Sequence, residues 1–585
     1  MKFCDKCGSR LKFSGNSYCI CVKCGEKKEV EDSKEKPTSL LEHFPHKSLR
    51  RFQEKTLIEI ESALKTKKFI ILEAPVGFGK SAVAATLCNY LGSAHIVTAT
   101  KQLQDQYASD FSYPLVKGKS NFQCYVSKST DKILPCSKGR CEVDWKLNDC
   151  PNYISFQEYE QHRKKMCNSK SKCENLKDEK LCTYYAQKWH GYSSPIAVYN
   201  YSFLLSELRF ANDLVRRKLI VFDEVHELER QMVDFLSFRL SKNVLQYYHD
   251  ALKSRVNLVI PHKGLDDAFE WLDVLDKSKQ ILEVYLEIYS GQDQEADKVA
   301  SCKNLLDDLV VFITRLRQDR SNWIVNSVKM DDQLSVQEVV FQPLKVGSYT
   351  SQIFKIADKF LLMSATIFSS EILCNSLGIP ISEAHLIKVE ESTFPLENRP
   401  VYALNTTFLN RASINTSLET ISKAVDKIMQ THSNERGVIH TTSYMQARYI
   451  SEHVSENNRK RLINTEETFD KSLLIKIHSS NDASVLISPS LYQGVDLKDE
   501  LSRFQIIVKV PYPDLSERRT RIKLERDQLW YSWQTAQRLL QAYGRSVRSE
   551  KDHAVTYVLD SNFTRFLNSN RNLFPKYFLD AIKSN

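Results

Sequence analysis

The chain has 585 residues, 42% hydrophobic and 26% charged, with a formal net charge of +10. This length is too great for one hydrophobic core and predicts about two to four domains. The composition excludes a disordered or fibrous chain, and no apolar run is long enough to span a bilayer. The opening segment MKFCDKCGSR lacks an apolar stretch, which leads us to expect an intracellular protein, cytoplasmic or nuclear if eukaryotic. Its fifteen cysteines therefore read as metal ligands and free thiols rather than disulfides, and twelve of them fall in two clusters.

The first cluster opens the chain. Cys4-Asp-Lys-Cys7-Gly and Cys21-Val-Lys-Cys24-Gly are two knuckles with thirteen residues between them. Four thiolates in this spacing suit tetrahedral zinc, so residues 1–30 are expected to form a zinc ribbon. Its partner, nucleic acid or protein, stays open. The charged, aperiodic run that follows reads as a linker over 31–43.

Phe69-Ile-Ile-Leu-Glu-Ala-Pro-Val-Gly-Phe-Gly-Lys-Ser81 predicts a buried strand, a glycine loop and a helix start. Ala74-x4-Gly79-Lys80-Ser81 matches a phosphate-binding loop, with alanine for its first glycine. The backbone from Ala74 through Gly77 and Gly79 would cradle the phosphates of ATP, Lys80 would reach the β- and γ-phosphates, and Ser81 would ligate Mg2+. Just upstream, Gln53 is a candidate adenine contact. Thr98 and Thr100, at the end of the next strand, suit either a nucleic-acid backbone or a helix cap.

The second cysteine cluster follows: Cys124, Cys136, Cys141, Cys150, Cys167, Cys173 and Cys182. ATP chemistry needs oxygen and nitrogen partners rather than thiols, so this is an inserted metal centre. Lys218-Leu-Ile-Val-Phe222 then delivers Asp223-Glu224-Val225-His226 to a strand end. There Asp223 would hold Mg2+, Glu224 would orient and deprotonate the attacking water, and His226 would couple the nucleotide to the neighbouring domain. A motif-poor, helical stretch runs to about residue 346. Leu361-Leu-Met-Ser364-Ala365-Thr366 predicts a strand ending in a relay turn. After Pro400, strands alternate again with helices at Gly437–Ser443, Val485–Ser490 and Gln505–Val510, the signature of an α/β fold with parallel sheets. Gln537, Gln541, Arg545 and Arg548 step by four, four and three, which predicts one helical face. Arg545 and Arg548 would act as arginine fingers, and Gln541 and Gly544 count among the nucleotide contacts.

In this order the motifs resemble superfamily 2 helicases. The cysteine insert narrows the likeness to the XPD/DinG-type iron–sulfur DNA helicases, over Phe44 to Phe566. The phrases Lys117-Gly-Lys-Ser-Asn-Phe-Gln-Cys124 and Cys182-Thr-Tyr-Tyr-Ala-Gln-Lys carry most of it. The box reads DEVH where DEAH is usual, and Gln493 stands where the family has glutamate.

The resemblance implies two RecA-like domains (44–116 with 186–229 and 347–398, then 399–585), an iron–sulfur domain at 117–185 and a helical arch at 230–346. It also implies a [4Fe-4S] cluster, with Cys124 and Cys182 as outer ligands. The middle pair is Cys136 and Cys141, favoured for their compact turn, or Cys167 and Cys173; zinc is the alternative metal. The expected activity is ATP-dependent movement of a monomer, 5′-to-3′, on single-stranded and forked DNA in repair or replication. Rival readings are a translocase that strips proteins or remodels R-loops, and a non-enzymatic zinc-ribbon binding module.

Overall fold

A computed structural model describes residues 11–13, 18–21, 27–29, 39–129, 132–138, 150–166, 181–210, 214–252, 266–290, 296–332, 335–409, 414–464, 471–491, 497 and 499–583. Cys4, Cys7, Cys24, Cys141, Cys167, Cys173 and Gln493 lie outside the described residues.

Two seven-stranded sheets organise the chain. The first has the order β15-β4-β14-β10-β5-β9-β6, all parallel. Its strands are β4 (Phe69–Glu73), β5 (Ala94–Thr98), β6 (Leu115–Val116), β9 (Ile196–Asn200), β10 (Arg217–Asp223), β14 (Ala357–Ser364) and β15 (Ala384–Lys388). These strands are near-continuous apolar runs because helices cover both faces of the sheet. Alternate residues divide between two cores: Ile71, Phe222 and Leu362 on one face, Leu72, Val221 and Met363 on the other. The second sheet, β18-β19-β17-β20-β21-β16-β22, is also parallel. It comprises β16 (Val401–Thr407), β17 (Gly437–His440), β18 (Leu462–Asn464), β19 (Val485–Ser488), β20 (Phe504–Ile507), β21 (Val555–Asp560) and β22 (Ile582–Lys583). The doubly wound α/β expectation is met in both halves.

Two long excursions leave the first sheet. One, between β6 and β9, contains the antiparallel pair β7 (Gln123–Ser129) and β8 (Lys132–Pro135) and the cysteine-rich segment. The other, between β10 and β14, was expected to be helical. It holds the helices Leu272–Tyr289 and Ala296–Gln318, but also a three-stranded antiparallel sheet: β11 (Phe238–Ser241), β13 (Val336–Pro343) and β12 (Trp323–Met330). This sheet is covered on one face, where Phe238, Phe312, Trp323 and Phe341 stack together. Its alternating pattern is hidden among Leu-rich helices.

At the N-terminus, β1 (Leu11–Phe13), β2 (Tyr18–Cys21) and β3 (Lys27–Glu29) pair antiparallel, with Cys21 opposite Leu11. Leu40, read as linker, is instead fully buried in the core beside β4. No helix among the described residues is long and apolar enough to cross a membrane.

Candidate functional site

Strands β4, β14 and β10 are neighbours, so their C-terminal ends bring the phosphate loop, Ser364 and Asp223 to one edge, where open α/β sheets place ligands. The loop needs its glycines. Gly77 and Gly79 have φ of +84° and +88°. A Cβ on Gly77 would come within 2.1 Å of the Phe394 ring, and one on Gly79 within 2.6 Å of the Gln53 amide. Both residues are held from outside the loop. Arg50 Nη1 donates to the Gly77 carbonyl at 2.6 Å, and Gln53 Nε2 donates to the Phe78 carbonyl at 2.8 Å. The Gln53 carbonyl accepts from Arg50 N–H at 2.7 Å. The Gln53 amide therefore braces the loop.

Lys80 begins the helix Lys80–Leu91 and folds back onto the Ala74 carbonyl at 3.0 Å. Burial pushes its pKa down, and the charges of Glu224 and Asp223 push it back up. Asp223 is buried, and burial with the neighbouring Glu224 charge raises its pKa to about 6, against the pull of Lys80. Tyr107 donates to Asp223 Oδ2 at 2.9 Å. The expected magnesium ligands Ser81 and Asp223 offer a hydroxyl and a carboxylate, a donor set of hard oxygens that fits Mg2+.

Glu224 adopts the left-handed conformation at φ +58°, which is strained for a residue with a Cβ. That geometry brings its carboxylate 3.4 Å from Ser364 Oγ and 3.3 Å from His226 Nδ1. His226 Nδ1 in turn lies 2.7 Å from Ser364 Oγ. Burial works against protonation of His226, but the hydrogen bond and charge of Glu227 and the charge of Glu224 outweigh it and raise its pKa. Thr366 N–H donates to Ser364 Oγ at 3.0 Å, and Gln537 Nε2 donates to the Thr366 carbonyl at 2.7 Å. The Ser-Ala-Thr turn therefore joins the DEVH box to the second half of the chain.

The arginines reach the same place by a different backbone. The helix Gln528–Tyr543 stops at Tyr543, so Arg545 and Arg548 lie beyond it rather than on its face with Gln537 and Gln541. Gly544 caps the helix, and Ser546 turns inward to Ser502 at 2.7 Å and Gln505 at 3.2 Å, which pulls the chain off the helical path. Even so, the Arg548 charge acts on Lys80 of the loop and the Arg545 charge on His226 of the acidic box. Gly544 approaches Val76 of the loop, where a Cβ would sit 3.6 Å from its Cγ2. Gln541 Oε1 is buried there without a hydrogen-bond partner, an acceptor awaiting a donor. Beside the loop, a cavity of about 510 Å³ has Phe52, Phe394 and Tyr577 in its wall together with charged residues of both signs, among them Lys55, Glu391 and Lys576.

Thr100 and Thr98 serve the fold. Thr100 caps the helix Lys101–Phe111 by accepting from Leu103 N–H, and Thr98 donates to the Thr100 carbonyl.

In the cysteine-rich excursion, Cys136 is buried in an aromatic core with Tyr159, Tyr184, Tyr185 and Trp189, and Cys124 and Cys182 pack against it. The backbone N–H groups of Cys136 and Cys182 donate to Phe122 and Asn152. Among the described residues, no three His, Cys, Asp or Glu side chains form a group that could hold a metal ion.

Tyr107, Phe394 and Glu229 (below) carry no local motif, and only the fold brings them to the site. The two parallel sheets, with a phosphate loop and acidic box on one and arginines of the other acting on them by their charge, define a two-domain nucleotide-driven motor. Two family models match the chain, DEAD_2 over residues 95–245 and a helicase C-terminal domain over residues 426–580, together just over half of it. The chain thus carries the domains of a helicase. It is 20% identical to the Methanocaldococcus jannaschii protein named "Probable ATP-dependent helicase MJ0942", over 89% of this chain and 93% of that one. A solved XPD helicase shares the fold at TM-score 0.61 and 16% identity, covering 90% of this chain and 99% of its own. S. tokodaii Xpd4 does so at 0.57 and 16%, covering 91% and 99%.

Proposed function

We propose that this protein is a DNA helicase that hydrolyses ATP between its two halves and moves 5′-to-3′ along single-stranded DNA, serving repair or replication. The observation that supports this reading is the meeting of Lys80, Asp223 and Glu224 at the strand ends, with Gln537 of the second half donating to the Thr366 carbonyl beside them. ATP would lie with its phosphates on the loop from Ala74 to Ser81 and its base in the cavity beside Phe52, Phe394 and Tyr577. Lys80 would bind the outer phosphates, and Ser81 and Asp223 would hold Mg2+, which neutralises phosphate charge when bound. Glu224 would orient the attacking water and take its proton, while Arg545 and Arg548 stabilise charge on the transferring group. Loss of the γ-phosphate would remove the anion that draws these arginines in. The Ser364–Thr366–Gln537 contacts would carry that change into the second half.

The test compares ATP hydrolysis with and without single-stranded DNA, and unwinding of duplexes with 5′ or 3′ tails. DNA-stimulated turnover and opening of the 5′-tailed duplex are expected. Hydrolysis without unwinding would favour the translocase reading, and absence of DNA-stimulated hydrolysis would refute both.

An iron–sulfur domain at 117–185 remains a proposal carried by the two cysteine phrases of the sequence, with Cys124 and Cys182 as outer ligands and Cys136 with Cys141, or Cys167 with Cys173, between them. The N-terminal knuckles would hold zinc and dock nucleic acid or a protein. Protein purified anaerobically should be brown and contain about four irons and one zinc per chain. A colourless, iron-free protein would remove the cluster while leaving the ATPase reading intact.

A further inference from the structure

Tyr107 lies on the helix Lys101–Phe111 and is fully buried. It belongs to the apolar core that also holds Phe78, Val83 and Leu87, and its ring packs against that of Phe111 at 5.8 Å. A phenylalanine would fill such a place and need no partner, so packing alone does not account for the hydroxyl. What the hydroxyl reaches is Asp223, 116 residues along the chain, whose Oδ2 accepts from it at 2.9 Å. Asp223 is only 3% exposed, and its other oxygens are engaged as well. Oδ1 accepts from the Glu224 N–H at 3.1 Å, and the main-chain carbonyl accepts from the Tyr201 hydroxyl at 3.1 Å. One tyrosine thus holds the side chain of Asp223 and another holds its backbone. A carboxylate offers about four lone-pair sites, two on each oxygen. The phenol and the amide take one on each, which leaves one on each for a metal ion or its water. A phenol keeps its proton up to about pH 10, so Tyr107 is a donor throughout the working range.

We propose that Tyr107 is a positioning residue for the magnesium site: its hydroxyl holds the Asp223 carboxylate ready for the Mg2+ that accompanies ATP. This rests on the proposed ATP-hydrolysing function and adds to it the group that prepares the metal ligand. A free aspartate turns about two side-chain bonds. A donor fixed on Oδ2 removes that freedom before the ion arrives, so binding the ion requires less ordering of its ligand. The effect therefore belongs in affinity for metal with nucleotide. A tyrosine that only packed would, when altered, weaken nucleotide equally with and without metal, or lower stability alone.

The experiment compares wild type with Tyr107→Phe, which removes one oxygen and keeps the ring. Mn2+ stands in for Mg2+ and is followed by its paramagnetic resonance in the presence of ADP, so no turnover enters the measurement. Mn2+ affinity should fall on the order of 10-fold in the variant, while ADP affinity in EDTA stays unchanged. In turnover, the Mg2+ concentration for half-maximal ATP hydrolysis should rise by a similar factor, and excess Mg2+ should restore most of kcat. Wild-type Mn2+ affinity in Tyr107→Phe would overturn the proposal. So would a loss of kcat that excess Mg2+ does not restore, or an equal loss of ADP affinity with and without metal. A wild-type structure with Mg2+ and ADP decides independently of the variant. The Tyr107 hydroxyl within about 3.2 Å of an Asp223 carboxylate oxygen is expected with the metal bound, and a wider separation rejects the proposal. Wild-type protein that hydrolyses no ATP would fail the functional reading and this inference with it, whereas normal hydrolysis with an indifferent Tyr107→Phe would fail only this inference.

Discussion

Replacing Lys80 with alanine should lower ATP turnover by on the order of 10²- to 10³-fold, the scale seen when one preorganised charge-stabilising donor is removed. Lys80 is half-buried, held to the loop carbonyl of Ala74 at 3.0 Å, and interacts electrostatically with both Glu224 and Asp223. Its removal strips the cation that opposes the raised pKa of Asp223, so the carboxylates are left with mutual repulsion as well as an uncompensated phosphate. Steady-state hydrolysis with saturating single-stranded DNA measures the effect. A Lys80→Ala protein with wild-type turnover would show that the loop is not where ATP is cleaved. DNA binding without nucleotide should be little changed, because Lys80 faces the cleft.

Glu229→Ala should cost about 3–5 kcal/mol of stability, because it leaves two buried cations without their anion. Glu229 opens the helix Leu228–Leu236, three residues after His226, and is 5% exposed. It accepts from Arg519 at 2.7 Å, Lys523 at 2.6 Å and the Trp530 indole at 3.2 Å, all from the second half. Arg519 also donates to the Pro343 carbonyl at the end of β13, and Arg518 to the carbonyls of Asp266 and Val325. The basic helix Arg518–Arg526 is therefore partly structural, with Arg521 and Arg526 left on the surface. Denaturant titration should show a lower midpoint, and Glu229→Gln, which keeps shape and one acceptor, should lose less. The pH dependence has a definite sign. Burial opposes ionisation of Glu229, but Lys523 and Arg519 prevail and hold its pKa at about 2, below the ordinary 4.5. Its stabilisation is thus complete above pH 4.5 and lost as pH falls from there toward 2. In Glu229→Gln the stability curve should be flatter across that window. An unchanged midpoint would mean that the cluster does not fasten the two halves.

Much of the first half-site was legible because phosphate loops and acidic boxes are local patterns at strand ends. Lys80, Asp223 and Glu224 needed only an apolar strand, a turn and the following residues. The second half-site was only half legible. The spacing of Gln537, Gln541, Arg545 and Arg548 gave a helical face that ends early, because Gly544 and the inward turn of Ser546 depend on Ser502 and Gln505 of a distant strand. Tyr107 and Glu229 were illegible for a related reason. Each lies on an amphipathic helix like many others, and its partner is 116 residues away for Tyr107 and about 300 for Glu229. The sheet β11-β13-β12 was missed although only residues 331–335 join β12 to β13, because long helices separate β11 from that hairpin.

The order of the first sheet also bears on how the protein is made. The loop-bearing strand β4 pairs with β14 and β15 alone, and Phe69, its first residue, lies opposite Phe360 and Ala384. A ribosome thus makes the phosphate loop early but supplies the strands on either side of it nearly 300 residues later. Until residue 364 emerges, β4 has two open edges of apolar residues, and one stays open until residue 388. Strands in that state pair with other chains as readily as with their own. Nascent chains truncated before β14 should therefore be held by chaperones or aggregate, and the nucleotide site should appear only when the last two strands of the first sheet, β14 and β15, are synthesised.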